Sequence, residues 1–179
     1  MPPSSPREWH KDSYTLTTCP SAITPEVLNS FFATPEIYWA QPLPVSATQS
    51  LINNSINFTL LLPPTTPSSS SPAPREAVGY ARLITDYTTF AYLTDVYISP
   101  VHQGRGLGKW MIRCVSGVLD EMPHLRRSML VTGDWEVSVP FYEKAMGMRC
   151  IGEKLEGEGR LDRGLAVMVR VGRGSGSWV

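Results

Sequence analysis

The spacing of hydrophobic and polar residues changes in the middle of this chain from a strand-like to a helix-like period. Residues 77–85 and 91–98 are rich in β-branched and aromatic side chains, which predicts two strands joined by a turn around Asp86. From residue 107 to 122 the pattern predicts an amphipathic helix, which Pro123 ends. A glycine-rich turn therefore connects a strand to a helix. The apolar positions of that helix are 107, 111, 112, 115, 118 and 119.

Local signals predict further elements on both sides of this turn. Thr24, Pro25 and Glu26 supply an N-cap, a first helical residue and an acidic first turn, which predicts a helix over 25–33. Gly147 is placed to end a later helix. The other predicted elements are strands at 14–18, 56–62, 128–132, 148–155 and 165–171, a helix through 49–54 capped by Ser46 or Thr48, and a helix at 139–145.

The length of 179 residues suits a single domain. Residues 1–13 look frayed, and the glycine- and serine-rich residues 172–179 are expected to be loose. Residues 63–74 are proline- and serine-rich with little to bury, which predicts a disordered insertion within a hairpin. The predicted α/β domain therefore spans residues 14–171.

Composition removes several classes of function. Lys plus Arg and Asp plus Glu each number 16, so no global charge would attract nucleic acid or an anionic membrane. The three cysteines and three histidines form no cluster with metal-ligand spacing, and the odd cysteine count suits a reducing compartment. Neither a signal core nor a long apolar run is visible. We therefore expect a soluble cytoplasmic protein with a small-molecule or peptide partner.

The turn before the central helix has the composition of an anion-binding loop. Its residues 103–109 are Gln-Gly-Arg-Gly-Leu-Gly-Lys. Glycines let backbone N–H groups approach a ligand, and the positive end of the following helix favours phosphate. Arg105 and Lys109 add cationic donors suited to a diphosphate. The dinucleotide fingerprint fails because it needs glycine at Lys109, and the P-loop pattern fails at Gln103 and Trp110.

The spacing Gln103-x-x-Gly106-x-Gly108 instead resembles the acetyl-coenzyme A (acetyl-CoA) signature of the GNAT superfamily of N-acetyltransferases. Residues 141–148, F-Y-E-K-A-M-G-M, are similar to that family's F-Y-E-K-x-G-F segment. The hairpin R-L-I-T-D-Y-T-T-F-A-Y-L-T-D at 82–95, with a Tyr-Trp pair upstream, resembles a subgroup of small GNAT proteins. The resemblance implies a GNAT-like α/β fold with a mixed, mostly antiparallel sheet flanked by helices. It also implies acetyl-CoA as co-substrate, no metal, and direct acetyl transfer to a primary amine.

The resemblance assigns roles to particular residues. Tyr142 in the F-Y-E-K segment is the implied general acid for the departing thiolate, because a phenol with a pKa of about 10 keeps its proton at pH 7. Met148 and Trp135 depart from the family's usual phenylalanine and asparagine. The implied cofactor-binding residues are Val96, Tyr97 and Ile98, whose backbone would bind the pantetheine arm, and Gln103, Gly104, Arg105, Gly106, Leu107, Gly108 and Lys109 in the loop.

The acceptor side is less defined by the sequence. Asp95 stands among apolar residues of a strand, where an unpaired acid would be costly, so it is either the general base or the acceptor of a structural hydrogen bond. Tyr38, Trp39 and Tyr92 are predicted to form an aromatic pocket for the amine. For Phe90, packing in the core is the expected role.

Three activities fit these features. A small-molecule amine acetyltransferase is the main hypothesis, and a protein or peptide N-acetyltransferase or a non-catalytic acyl-CoA sensor are the alternatives. A cysteine nucleophile is not expected, because no histidine is placed by sequence to activate Cys114 or Cys150. The identity of the amine, the acyl length and the choice between a monomer and a homodimer stay open.

Overall fold

The computed structural model describes residues 5–63, 75–158 and 162–176. Most of the predicted insertion at 63–74 and the end of the predicted C-terminal tail lie outside these residues. The strands within them are β1 (Glu8–Lys11), β2 (Tyr14–Thr17), β3 (Ile56–Leu61), β4 (Ala77–Thr85), β5 (Phe90–Ile98), β6 (Arg127–Thr132), β7 (Arg149–Cys150) and β8 (Ala166–Val171). The α-helices are α1 (Pro25–Phe32), α2 (Val45–Asn53), α3 (Leu107–Asp120) and α4 (Ser138–Met146).

The strands pair in the order β1-β2-β3-β4-β5-β6-β8-β7. Strand β5 runs parallel to β6, whereas β1 with β2, β2 with β3, β3 with β4, β6 with β8 and β7 with β8 are antiparallel. The predicted α/β class with a mixed, mostly antiparallel sheet is thereby confirmed. Among the described residues, no helix is long and apolar enough to cross a membrane.

The chain divides into two compact units. The first unit comprises Met1–Leu83 and Asp95–Met111, and the second comprises Ile84–Thr94 and Ile112–Val179. The first therefore contains α1, α2, the ladder β1-β2-β3-β4 and the second half of β5. The second contains the first half of β5, β6, β7, β8, α4 and most of α3.

Helix α1 organises the core of the first unit. It begins where the sequence predicts, because the Thr24 hydroxyl accepts a hydrogen bond from the N–H of Val27 at 3.4 Å and proline occupies the first turn. Its apolar side packs into one cluster with residues from α2 and the sheet. That cluster contains Ile23, Leu28, Phe31, Phe32, Ile37, Ile52, Tyr80 and Tyr97.

The structure corrects the prediction that residues 1–13 are frayed, because β1 pairs with β2 within that stretch. The indole of Trp9 stacks on Phe58 with ring centroids 6.0 Å apart, and Thr18 donates its N–H to the carbonyl of Arg7 at 2.9 Å. β1 is a short, polar edge strand, held by backbone pairing and one aromatic contact. A hydrophobic pattern does not identify such a strand.

The predicted loose tail from residue 172 is also wrong for its described part. Gly172 donates its N–H to Arg126 at 3.0 Å, and Gly174 donates to Leu125 at 2.8 Å. A Cβ added at Gly172 would stand 2.2 Å from the carbonyl oxygen of Leu125. Glycine is present here because two backbone segments approach closely, not because the segment is loose.

Candidate active site

The loop between β5 and α3 has the geometry of an anion cradle. Gly104 and Gly106 have φ angles of 74° and 72°, in the left-handed region that favours glycine. A Cβ added at either position would meet nothing within 4 Å, so this face of the loop is open. Helix α3, of 14 residues, begins directly afterwards and directs its N-terminal N–H groups to the same end. A diphosphate fits both the space and the charge of this loop.

Gln103 braces the loop from within. Its side-chain amide donates to the carbonyl of Ile98 at 2.8 Å, and its backbone N–H donates to Pro100 at 3.2 Å. Two of the three N–H donors of Gln103 are therefore engaged inside the loop. Within the described residues, the N–H groups of Gly104, Arg105 and Gly106 have no protein acceptor. These are the amides that the loop can present to a ligand.

A buried tyrosine anchors one of the loop cations. Arg105 donates from its guanidinium to the hydroxyl of Tyr14 at 3.3 Å, and that hydroxyl is 3.0 Å from Nδ1 of His102. Tyr14 is 6% exposed, whereas Arg105 and Lys109 are exposed. This arrangement holds Arg105 beside the open face of the loop.

The strand before the loop has only a short parallel ladder. The ladder pairs Phe90 with Arg127, Ala91 with Ser128 and Tyr92 with Met129, whereas β5 itself continues to Ile98. Backbone groups alternate in direction along a strand, with the N–H and C=O of one residue directed to the same side. Whether the backbone groups of β5 face β4 or the opposite side therefore alternates from one residue to the next.

That alternation separates the three predicted backbone positions. Ser99 donates its N–H to Val78 in the β4 segment at 2.8 Å, so the backbone of Tyr97 also faces β4. Val96 and Ile98 face the other way, and the Ile98 carbonyl already accepts from Gln103. The side chain of Tyr97 is buried against Phe31, with ring centroids 4.9 Å apart.

Asp95 is a buried, paired carboxylate. It is 6% exposed, and its Oδ2 accepts from Nε of Arg82 at 2.7 Å while its Oδ1 accepts from the indole N–H of Trp39 at 3.3 Å. Its backbone is left-handed, with a φ of 54°. Of the two roles predicted for Asp95, the structural hydrogen bond is visible in the geometry, and the role of general base stays a prediction. The pairing with Arg82 was not predicted, although Arg82 is the first residue of the hairpin motif at 82–95.

The aromatic residues predicted for the acceptor side have different environments. Tyr38 and Trp39 are 45% and 47% exposed and meet edge to face, with ring centroids 5.1 Å apart. Tyr92 is half-buried in the second unit. Phe90 is 39% exposed, so the expected core packing is wrong for this residue at the first position of β5.

Tyr142 lies on α4 in the second unit, in the helix that the sequence predicts. The helix ends at Gly147, whose φ of 64° makes it a left-handed C-cap. Tyr142 is 8% exposed, and its ring meets Phe141 edge to face at 5.0 Å. Burial raises the pKa of the Tyr142 phenol above its ordinary value. Because its pKa is raised, the phenol of Tyr142 is protonated at neutral pH. Among the described residues its hydroxyl has no hydrogen-bond partner.

The predicted departures from the family pattern have structural roles. Trp135 donates its indole N–H to the carbonyl of Gly164 at 3.0 Å. Met148 is 3% exposed, so it packs in the interior of the second unit. Both residues therefore stabilise the segments that flank α4.

Comparison with known proteins decides the family. The model of the Acetyltransferase (GNAT) family matches residues 36–148, which include the loop, the Asp95 hairpin and α4. The chain belongs to the GNAT family. A Gibberella zeae protein named "Putative acetyltransferase FG08082" is 35% identical over 153 residues, covering 82% of this chain and 85% of that protein. The GNAT protein described here is accordingly an acetyl-CoA-dependent acyltransferase.

Solved structures agree with the GNAT fold. A GNAT-family protein (xcc2953) of Xanthomonas campestris pv. campestris is 27% identical, with a TM-score of 0.59, over 74% of this chain and 84% of that one. Spermidine N-acetyltransferase of Vibrio cholerae, solved with CoA and spermine, is 18% identical, with a TM-score of 0.58, over 89% of this chain and 95% of that one. At that identity the second likeness shows the fold alone.

Proposed function

We propose that this GNAT protein transfers the acetyl group of acetyl-CoA directly to the primary amine of a small molecule. The observation that carries the proposal is the exposed Tyr38–Trp39 pair, whose two rings meet edge to face and present aromatic surface to solvent. Aromatic faces attract ammonium groups, and a compact aromatic surface suits a small amine. Recognition would occur in the ammonium form, and one proton must then leave before the nitrogen attacks.

The loop would hold the cofactor by its diphosphate. The N–H groups of residues 104–108, the N-terminus of α3 and the side chains of Arg105 and Lys109 supply donors and positive charge there. Gln103 uses its backbone N–H and one side-chain N–H within the loop, so its second side-chain N–H is the donor that we assign to the cofactor. Along β5, Val96 and the N–H of Ile98 are the backbone groups that we assign to the pantetheine arm.

The chemistry needs one proton at the sulfur. As the amine nitrogen bonds to the acetyl carbon, the carbon–sulfur bond breaks and the thiolate takes a proton, which we assign to the hydroxyl of Tyr142. The raised pKa of the buried phenol supports this assignment, because it keeps the residue protonated at working pH. The nitrogen loses its first proton to a base before it attacks, and Asp95 and water are the candidates for that base. The proton that the nitrogen loses as the amide forms restores the phenol of Tyr142.

The test is a panel of acceptors with acetyl-CoA, followed by release of the free thiol. Small primary amines are expected to be turned over, and peptides with free N-termini are expected to react slowly. Trp39→Phe keeps a ring but presents a weaker aromatic face, so it should raise the KM for the amine and leave the KM for acetyl-CoA unchanged. Tyr87→Phe, outside the proposed contacts, is the matched aromatic control.

Two results would contradict the proposal. Turnover of peptides alone would assign the chain to protein or peptide acetylation. Binding of acetyl-CoA without thiol release, with every amine in the panel, would favour the acyl-CoA sensor.

A further inference from the structure

The Asp95 carboxylate lies at the centre of a buried polar network in the first unit. The side chains of Asp95 and Arg82 are 6% and 13% exposed and form an ion pair of 2.7 Å. The other carboxylate oxygen accepts from the indole N–H of Trp39 at 3.3 Å. A carboxylate at this depth is tolerated because charged and polar donors face it.

Arg82 is itself held in place by the turn between α2 and β3. Its NH1 donates to the hydroxyl of Ser55 at 3.3 Å. Asn57 braces the same turn by donating to the carbonyls of Ile52 at 2.8 Å and Ser55 at 3.1 Å, and it accepts from the hydroxyl of Tyr80. The position of Arg82, and hence of the Asp95 carboxylate, is therefore fixed by buried groups.

Trp39 is the exposed end of this network. Trp39 is 47% exposed, yet its one side-chain N–H is directed at a carboxylate oxygen that is buried. An exposed indole normally samples several rotamers, and a hydrogen bond to a fixed acceptor selects one of them. The orientation of the ring that meets Tyr38 edge to face thus depends on two residues beneath it.

We propose that Arg82 and Asp95 are positioning residues that hold Trp39 in the orientation needed to bind the acceptor amine. The assignment of the acceptor to Trp39 rests on the function proposed above, whereas the holding of the indole does not. Because Arg82 compensates the Asp95 charge, the ammonium group is recognised by the aromatic surface. Asp95 then acts through Trp39, and water, the other candidate for the base, takes the proton of the amine.

The first test needs no substrate. The fluorescence of Trp39 is obtained as the difference between the parent and Trp39→Phe, and its quenching by acrylamide is compared with and without Asp95→Asn. An indole released from its hydrogen bond to Asp95 should be quenched up to about twofold more strongly. Trp39 is already 47% exposed, so full exposure would only about double its accessible surface. Unchanged quenching of the Trp39 component would overturn the proposal.

The control variant is Asp12→Asn. Asp12 is also an aspartate with a left-handed backbone, at φ 53°, but its side chain is 72% exposed and pairs with Lys11 on the surface. Asparagine tolerates a left-handed backbone as aspartate does. Comparing Asp95→Asn with Asp12→Asn therefore separates the effect of removing a buried charge from any effect of the backbone conformation. If Asp95→Asn does not fold, Arg82→Lys keeps the charge and removes the Nε–H, and it must change Trp39 quenching in the same direction.

The second test is kinetic and distinguishes positioning from base catalysis. With a positioning role, Asp95→Asn raises the KM for the acceptor about tenfold, the effect of one ordinary hydrogen bond, and leaves the pH profile in place. Adding Asp95→Asn to Trp39→Phe should raise the KM for the acceptor little further, because both changes remove the same interaction. If kcat instead falls by about 10²-fold or more and the acidic limb of the pH profile disappears, Asp95 is the base. If no amine is acetylated, the proposed function fails, while the fluorescence result still decides the positioning role.

Discussion

Replacing Gly106 with aspartate should abolish much of the affinity for acetyl-CoA without unfolding the protein. A Cβ at this position meets nothing within 4 Å, so there is no steric clash. The φ of 72° means that any side chain brings strain of roughly 1–2 kcal/mol, which asparagine and aspartate tolerate best. The loss of stability should therefore be small and similar for Gly106→Asp and Gly106→Asn.

The affinity for acetyl-CoA should differ between Gly106→Asp and Gly106→Asn. An aspartate carboxylate about 4 Å from the diphosphate repels it by roughly 1 to 4 kcal/mol per unit charge, according to the effective dielectric constant. That repulsion corresponds to a loss of about fivefold to about a thousandfold in affinity. Gly106→Asn carries no charge and should lose at most a few-fold, because the backbone strain is present in both the free and the bound protein and cancels from the binding free energy.

Isothermal titration calorimetry with acetyl-CoA at two salt concentrations measures both effects. The gap between the aspartate and asparagine variants should narrow as salt increases, because the added charge is exposed and screened. Thermal melts check that both variants are folded. Equal affinities for the two variants and the parent would refute the placement of the diphosphate over this loop.

Four further predictions concern single residues. Gly117→Ala in α3 should stabilise the protein by about 1 kcal/mol in thermal melts, since its Cβ meets nothing and glycine is a poor helix former. Gly172→Ala should lower the melting temperature, because its Cβ would stand 2.2 Å from a carbonyl oxygen. Asp86, whose pKa is held low by the Thr89 hydroxyl and the N–H groups of residues 88–90, should stabilise the fold above its unfolded pKa of about 3.9. That contribution should disappear as the pH falls through the lower folded pKa, and acid titration of Asp86→Asn should lack it. Tyr142→Phe should keep the affinity for acetyl-CoA and lower turnover about a hundredfold when chemistry limits the rate; turnover at the parent rate would return Tyr142 to a packing role.

Most features that depend on neighbours in sequence were predicted correctly, but the cap predicted at Ser46 or Thr48 was wrong, because α2 begins at Val45 after Pro44 and has no side-chain cap. Thr24 caps α1, Gly147 ends α4, and Asp86 accepts from three successive N–H groups in the hairpin turn. Each of these involves residues within four positions of one another. Turn and cap chemistry at that range is encoded in residue type.

Contacts between residues that are far apart in sequence were not predicted. The carboxylate of Asp95 meets Arg82 and Trp39 across 13 and 56 positions of sequence, and no periodicity indicates which residues the fold brings together. The glycines at 172 and 174 carried the composition of a loose tail, yet the segment follows residues 124–126 closely. Strand β1 was missed because a polar edge strand is held by its ladder and not by an apolar face.

The contacts of Gln103 inside the loop were not predicted either. Its side chain donates to the carbonyl of Ile98, and its backbone N–H closes the turn at Pro100. The contact of Gln103 with the cofactor, which the signature implies, stays a prediction.

Direct transfer to a small amine is tested by following an isotopically labelled acetyl group from acetyl-CoA by mass spectrometry in a panel of small primary amines. We expect label on an amine, an equal amount of free CoA thiol, and no label on the protein. Label on the protein as an intermediate would contradict direct transfer, and label on peptide N-termini alone would contradict the assignment of a small-molecule acceptor.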